Sequence, residues 1–473
     1  MTTPVAQKAA QAVLPLALAQ FIASYAASNM NVAITTIAKD LRTDVAGIQT
    51  TITLFTLTMA ALMIPGSKLT DIIGRRRCFE IGLIVYGIGA LLASFAQGLP
   101  LLIVGYSLLE GIGSALLIPP IYILVTVMFD DIRTRARWFG VVSGAAGLGA
   151  AAGPLIGGLI TSFVSWRASF ILQVLVVALV AILALRIVDP PLPQHRPSFD
   201  VVGAVLSAAG LFFVVFGILQ TNRNGWGDWT VWASIALGVV ILIAFVALAG
   251  RRERHGRTPL VSPSLFRNRT SDLGLATQTM QWLVMQGGFF VISVFLQQQR
   301  GFSAIQTGLM LLPATVGVLT ASALAQRMAR RRPQRTLIRV GFTLTVVGLL
   351  LLIALVRTDS AVWTFWPGLL LMGFGVGVML TASVNVVQSA WPEQVQGDIS
   401  GVSRSVSNLG SSLGVAIAGS VLVAAESRGN PPFLTALVII AVFGVVGWVA
   451  ALLLPKGQRS PADPSSSDHA RAA

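Results

Sequence analysis

Hydrophobic residues make up 55% of the 473 residues and charged residues only 11%, with a mean hydropathy of +0.79. A soluble domain carries about 25% charge, so the composition excludes an ordinary soluble protein and points to an integral membrane protein. The net charge of +15 would suit nucleic acid, but the arginines fall in short clusters between apolar runs, the pattern that orients a membrane protein. No nucleic-acid partner is expected; lipid bilayer is. Cys78 is the only cysteine, which excludes an intrachain disulfide and a thiolate metal site. His195, His255 and His469 all lie in polar segments, so neither a histidine metal centre nor an intramembrane histidine relay is expected, and no cofactor is implied.

Apolar runs near 20 residues mark membrane spans. Fourteen are readable, at 14–37, 48–65, 79–97, 99–124, 138–163, 168–188, 200–220, 229–249, 274–298, 304–326, 337–356, 362–387, 399–424 and 433–454. The N-terminus carries only Lys8 before a run too long for a signal sequence, so the first run reads as an uncleaved span. With the N-terminus inside, 25 of the 33 Lys and Arg fall in inside segments and seven outside, with Arg404 within a span. A missed or invented span would invert that alternation, so an even count with both termini cytoplasmic is expected. Between 200–220 and 229–249 lies a polar turn holding Trp226, with basic clusters beyond each run, which gives a six-two-six layout. The expected organisation is a cytoplasmic N-terminus over 1–13, a six-helix bundle over 14–188, a two-helix insert with connectors over 189–270, a second bundle over 271–454, and a disordered tail over 455–473.

Between the second and third spans, Ser67, Lys68, Asp71, Gly74, Arg75, Arg76 and Arg77 form a charged segment that cannot lie in hydrocarbon, so a tight basic loop is predicted at the cytoplasmic face. A weak repeat links the two halves. Ser322 to Arg332 has the spacing of Ser67 to Arg77, offset by 255 residues, and Glu110, Gly111 and Gly113 are echoed by Met372, Gly373 and Gly375. Internal symmetry of this kind marks transporter halves.

In the fifth span, Gly149, Gly153, Pro154, Gly157 and Gly158 form a flat glycine strip with a proline bend. The bare residues are consistent with an ordinary tight helix contact; with Pro154 between the glycines they also suit a flexing helix that forms part of a gate. These residues fit the pattern G-x-x-x-G-P-x-x-G-G, and the loop fits G-x-L-x-D-x-x-G-R-[KR] with Ser67 displacing its first glycine. Trp166, Arg167 and Phe170, the run from Pro259 to Arg269, and Gln297, Gly301, Ser303, Gly308 and Pro313 continue the match. The chain thus resembles the fourteen-spanner drug:proton antiporter branch of the major facilitator superfamily. The resemblance implies an all-α fold of two six-helix bundles with two extra central helices, and alternating access. It also implies that Asp71 faces the cytoplasmic start of the thirteenth span, where a helix N-terminus favours an anion and release would open the inner side.

Two departures bear on energy coupling. The acid that the branch carries in the first span is Ala26 here, and the arginine of its fourth-span R-x-x-Q-G pattern is Ser107, with Glu110 in place of the glutamine. Glu110 lies about eleven residues into its span, near mid-membrane at roughly 1.5 Å per residue. An ionised acid there costs roughly 2.5–3.5 kcal/mol, which favours taking up a proton. Proton coupling, pairing with a cationic substrate, and a protonated hydrogen-bonding role are all compatible with the sequence. Arg404 is the only base well inside a span, placed either to snorkel or to line the inner vestibule.

Tyr25, Asn29 and Asn31 in the first span, Gln281 and Trp282 in the ninth, and Asn385 in the twelfth are candidate cavity residues. Such amide and aromatic linings suit amphiphilic organic molecules better than sugars or small ions. The expected activity is secondary export of drug-like or metabolite compounds. An uncoupled or single-metabolite carrier, or a non-transporting receptor or scaffold on the same fold, are the rivals. No nucleophile–base constellation or phosphate loop supports an enzyme. A monomer is compatible with the pattern.

Overall fold

The computed structural model describes residues 4–129, 132–185, 187, 199–328, 332–392, 395–429 and 431–455. Fourteen helices in them are long and apolar enough to cross a membrane: α1 (Val13–Val32), α2 (Val45–Ile73), α3 (Arg75–Ser94), α4 (Leu99–Val125), α5 (Arg137–Phe163), α6 (Trp166–Ala184), α7 (Val201–Asn224), α8 (Trp229–Arg254), α9 (Arg269–Gln299), α10 (Ala304–Ala325), α11 (Gln334–Leu355), α12 (Val362–Gln388), α13 (Gly397–Ser427) and α14 (Pro432–Leu452). Lipid forces backbone groups to pair within a segment, which is why every apolar run becomes a helix. Polar residues at the run ends cap them: Asp44 accepts from Gly47 N, Ser165 from Arg167 N, Asp228 from Thr230 N, and Asn268 from Thr270 N and Ser271 N.

The predicted loop over Ser67–Arg77 is corrected. Residues 67–73 complete α2, Arg75 opens α3, and the break is Gly74 alone. Its φ of 103° and ψ of 147° are open to glycine and strained for any other residue. Charged side chains here reach the surface from helix ends, so no extended loop is needed. The clusters around Arg75–Arg77, Arg251–Arg254, Arg267–Arg269 and Arg335–Arg339 fall at the helix ends of one side, called the basic face below. The helix ends near Lys39, Arg167, Arg300 and Arg357 make the far face. His195, His469, Arg330, Arg331 and residues 456–473 lie outside the described residues.

Packing repeats with an offset of eight helices. α1 packs on α5 and α6, α3 on α4 and α6, and α2 on α4; α9 packs on α13 and α14, α11 on α12 and α14, and α10 on α12. The echoed glycines do the same work in each half. A Cβ on Gly113 would strike Tyr86 of α3, and one on Gly375 would strike Gly341 and Thr345 of α11. Likewise Gly111 packs against Thr58 of α2, and Gly373 against Ala314 of α10. The two bundles meet along two seams, α2 with α13 and α5 with α10. α7 lies across the first seam, packing Val215, Ile218 and Leu219 against Leu57 of α2 and Ala416 of α13. Buried Asp200 anchors the insert: it pairs with Arg252 at 2.5 Å and accepts from Gly203 N and Leu260 N.

Candidate transport pathway

Glu110 ends a π-helical segment, Ile103–Glu110, within α4. Segments of this kind often mark functional positions. Its side chain is fully buried inside the first bundle rather than on an open surface. Of the four tyrosines in the chain, three stand around it: Tyr25, Tyr86 and Tyr106 all lie within its electrostatic reach and are fully buried. The Tyr86 hydroxyl faces the carboxyl but is committed to Gln173 and to the Ile22 carbonyl, so both Glu110 oxygens are left without a formed hydrogen bond. The Tyr106 hydroxyl donates to the Ala26 carbonyl at 3.0 Å. Ser107, where the family pattern has arginine, donates to the Thr51 carbonyl of α2 at 2.7 Å. The acid is flanked by tyrosines, two of whose hydroxyls bond carbonyls of α1, an arrangement that sequence spacing does not reveal.

The α1 helix breaks one turn beyond that contact. Met30–Val32 form a 3₁₀ turn, followed by a short helix, Ile34–Asp40. Gln297, in a second π-helical segment at the end of α9, reaches this break from the other bundle. Its amide donates to the Asn31 carbonyl at 2.9 Å and accepts from Thr35 N at 3.0 Å and Thr35 Oγ1 at 3.1 Å. Gln286 donates to the Ala27 carbonyl nearby. On the α2–α13 seam, Gln49 donates to the Val415 and Ala416 carbonyls and accepts from Asn222 of α7. Far-face ends are also pinned by Asp40, which takes Trp166 Nε1 at 3.1 Å and pairs with Arg167 at 2.5 Å. The far half of the molecule is thus bridged from bundle to bundle.

The glycine motif of α5 faces two partners. Gly149, Gly153 and Gly157 admit Phe21, Ser28 and Asn29 of α1, while Pro154 and Gly158 meet Gly308 and Ala304 of α10. At the basic face, the charged turn does meet the start of α13, but the bond is Lys68 to Asp398 at 2.5 Å, with Asp71 beside Lys68 and Arg75. Ser67 lies against Gly401, and Arg76 bonds Glu80 and the Ile187 carbonyl. Arg404 neither reaches the surface as a free charge nor stands alone: its guanidinium lies 3.9 Å over the Tyr122 ring of α4, joining the bundles by a cation–π contact.

The cavity candidates divide. Tyr25, Asn29, Asn31 and Gln281 are buried, Gln281 accepting from Ser383 at 2.9 Å. Trp282 and Asn385 are half-buried. The Asn29 and Asn31 amide oxygens have no hydrogen-bond partner, which suits groups that exchange partners when the helix break moves. Among the described residues, no group of three or more metal-ligating side chains is present.

Comparison with known proteins agrees with this architecture. The chain is 30% identical over 399 residues to the probable actinorhodin transporter of Streptomyces coelicolor, covering 83% of this chain and 68% of that one. It is 30% identical over 461 residues to the cephamycin export protein CmcT of Amycolatopsis lactamdurans, covering 93% and 92%. The multidrug resistance protein Stp of Mycobacterium tuberculosis is 29% identical, with 86% and 74% covered. A crystal structure of the peptide transporter POT shares the fold, with a TM-score of 0.66 at 17% identity over 94% of this chain and 93% of that one. The Major Facilitator Superfamily profile matches residues 16–415, and the chain belongs to that superfamily.

Proposed function

We propose that this chain is a secondary transporter of the cell membrane that exports amphiphilic drug-like or metabolite compounds by alternating access, with its basic face cytoplasmic. The observation that carries this reading is a repeated pair of six-helix bundles bridged across the far half by side-chain hydrogen bonds, of which those from Gln297 to the break after α1 are ones a small motion can break. Relatives described as export and resistance proteins support the direction and the substrate class. The arginine pattern supports the orientation. Asn29, Asn31, Trp282 and Asn385 are the proposed substrate-facing residues, and Lys68, with Ser67 packed beside it, holds the basic end of α2 to α13.

Proton antiport through Glu110 is part of the proposal. A carboxyl without a formed hydrogen bond, packed among tyrosines whose hydroxyls bond α1 just before its break, would pass its protonation state through them to the helix that carries the far-side contact. A second reading, an uncoupled carrier, is favoured by the full enclosure of Glu110 and the alanine at position 26. Proteoliposomes tested against a panel of amphiphiles, with and without an imposed pH gradient, separate the two. Coupling requires that Glu110→Gln abolish gradient-driven movement while expression is kept; unchanged gradient-driven movement removes Glu110 from the mechanism. Movement of no compound by the unaltered protein favours a scaffold.

A further inference from the structure

α5 carries a second small-residue stripe, apart from the face that meets α1: Gly140, Gly144, Gly147, Ala151, Pro154 and Gly158, spaced four, three, four, three and four residues. That spacing keeps one face of a helix turned to one partner. The far half of the stripe is occupied by α10. A Cβ on Gly158 would sit 2.7 Å from the Ala304 carbonyl, one on Gly308 2.5 Å from the Pro154 carbonyl, and Thr315 donates to the Ala151 carbonyl at 2.9 Å. The near half is vacant: a Cβ on Gly140, Gly144 or Gly147 would meet nothing within 4 Å. Glycine in a helix costs about 1 kcal/mol against alanine. Three of them on one face are wasted in this conformation, whereas the glycines further along the same helix each admit a neighbour.

The opposite seam behaves differently. α2 and α13 are joined from the far half to the basic face, by Gln49 to Val415, Ser412 to Thr53, Ser405 to Ala60, and Lys68 to Asp398. α7 covers that seam and bonds Gln49 through Asn222, while among the described residues no extra helix lies over α5 and α10.

We infer that the vacant glycines are the seat for the basic half of α10, so that the cytoplasmic side shuts by zipping Leu319 and Ser322 onto Gly147, Gly144 and Gly140. The occupant follows from continuity, since the same helix already sits on the same stripe further out and runs antiparallel to it. The α2–α13 seam, held by α7, is the hinge; opening is confined to the α5–α10 flank. The inference rests on the alternating-access reading, and names which flank moves and which residues meet.

The test uses paired cysteines in the Cys78→Ala background, reconstituted in proteoliposomes. Gly144→Cys with Ser322→Cys is expected to form a disulfide on oxidation, with transport falling by about tenfold or more and returning on reduction. Thr53→Cys with Ser412→Cys is expected to cross-link while transport stays within about twofold, since a hinge keeps its contacts. A Gly144→Leu variant, whose Cβ meets nothing within 4 Å in this conformation, is expected to leave folding intact, block transport, and keep Ser322→Cys open to labelling from the basic face. Disulfide formation is read on a gel without any substrate, so a missing 144–322 disulfide overturns the inference whatever the protein transports. Undiminished transport with that disulfide formed, or in Gly144→Leu, overturns it too, as does loss of transport on linking α2 to α13.

Discussion

Replacing Gln297 with leucine tests the far-side contact directly. The wild-type amide makes three hydrogen bonds across the break after α1, one to the Asn31 carbonyl and two from Thr35 of the short helix that follows. An interhelical hydrogen bond in a bilayer is worth about 0.6 kcal/mol on average, and a typical one in proteins about 1 kcal/mol. Three bonds therefore bias the closed far side by roughly 2–3 kcal/mol, and at about 1.4 kcal/mol per decade their loss shifts the equilibrium roughly 20- to 140-fold toward opening. Leucine keeps the volume and adds no charge, so the shift reports the bonds and not a cavity. The assay is labelling of an engineered cysteine at Asn29 by a membrane-impermeant maleimide added from the far side. Labelling should rise by at least an order of magnitude in Gln297→Leu. A rate within twofold of the parent would refute the latch and leave Gln297 a passive packing residue.

Two further outcomes follow from the same geometry. Gly149→Val should destabilise the protein by about 1–3 kcal/mol, seen as a lower Tm in detergent, because its Cβ would press on the Phe21 backbone; Gly144→Ala should leave Tm unchanged or raise it. The Lys68–Asp398 pair is partly exposed, at 21% and 34%, so Lys68→Ala should cost no more than about 1 kcal/mol in transport free energy. Reversing one charge, as in Lys68→Asp, should hurt more, and the double reversal with Asp398→Lys should restore most of the loss at low salt; no recovery would mean the two groups do not work as a pair.

The fourteen spans were legible because bilayer thickness sets their length and the arginine clusters punctuate them. The loop was misjudged for the same reason: charge at 67–77 marks the membrane edge, yet backbone pairing carries the helix through it to Gly74. The repeat was readable from Gly113 and Gly375, whose neighbours in α3 and α11 correspond. Long-range pairings were not. Nothing in the spacing of Lys68 announces Asp398, 330 residues away, nor that three tyrosines from α1, α3 and α4 converge on Glu110. Gln297 was visible as a family-pattern residue, but its partners appear only when the break in α1 is seen. The stripe at Gly140, Gly144 and Gly147 was present in the sequence all along, and acquires meaning only beside the half of it that α10 fills.

The π-helical turn that precedes Glu110 has one more consequence. Such a turn is an α-helix absorbing a surplus residue, and each residue advances a helix by about 100°. Removing one residue from Ile103–Glu110 would leave a regular helix with everything on one side of the deletion rotated by about that angle. The direction in which the carboxyl points is therefore set by register as much as by the identity of residue 110. A chain with glutamate at the matching position but a plain α-turn before it would aim that acid at a different neighbour. A glutamate in an alignment column is thus not by itself the same chemical group in space.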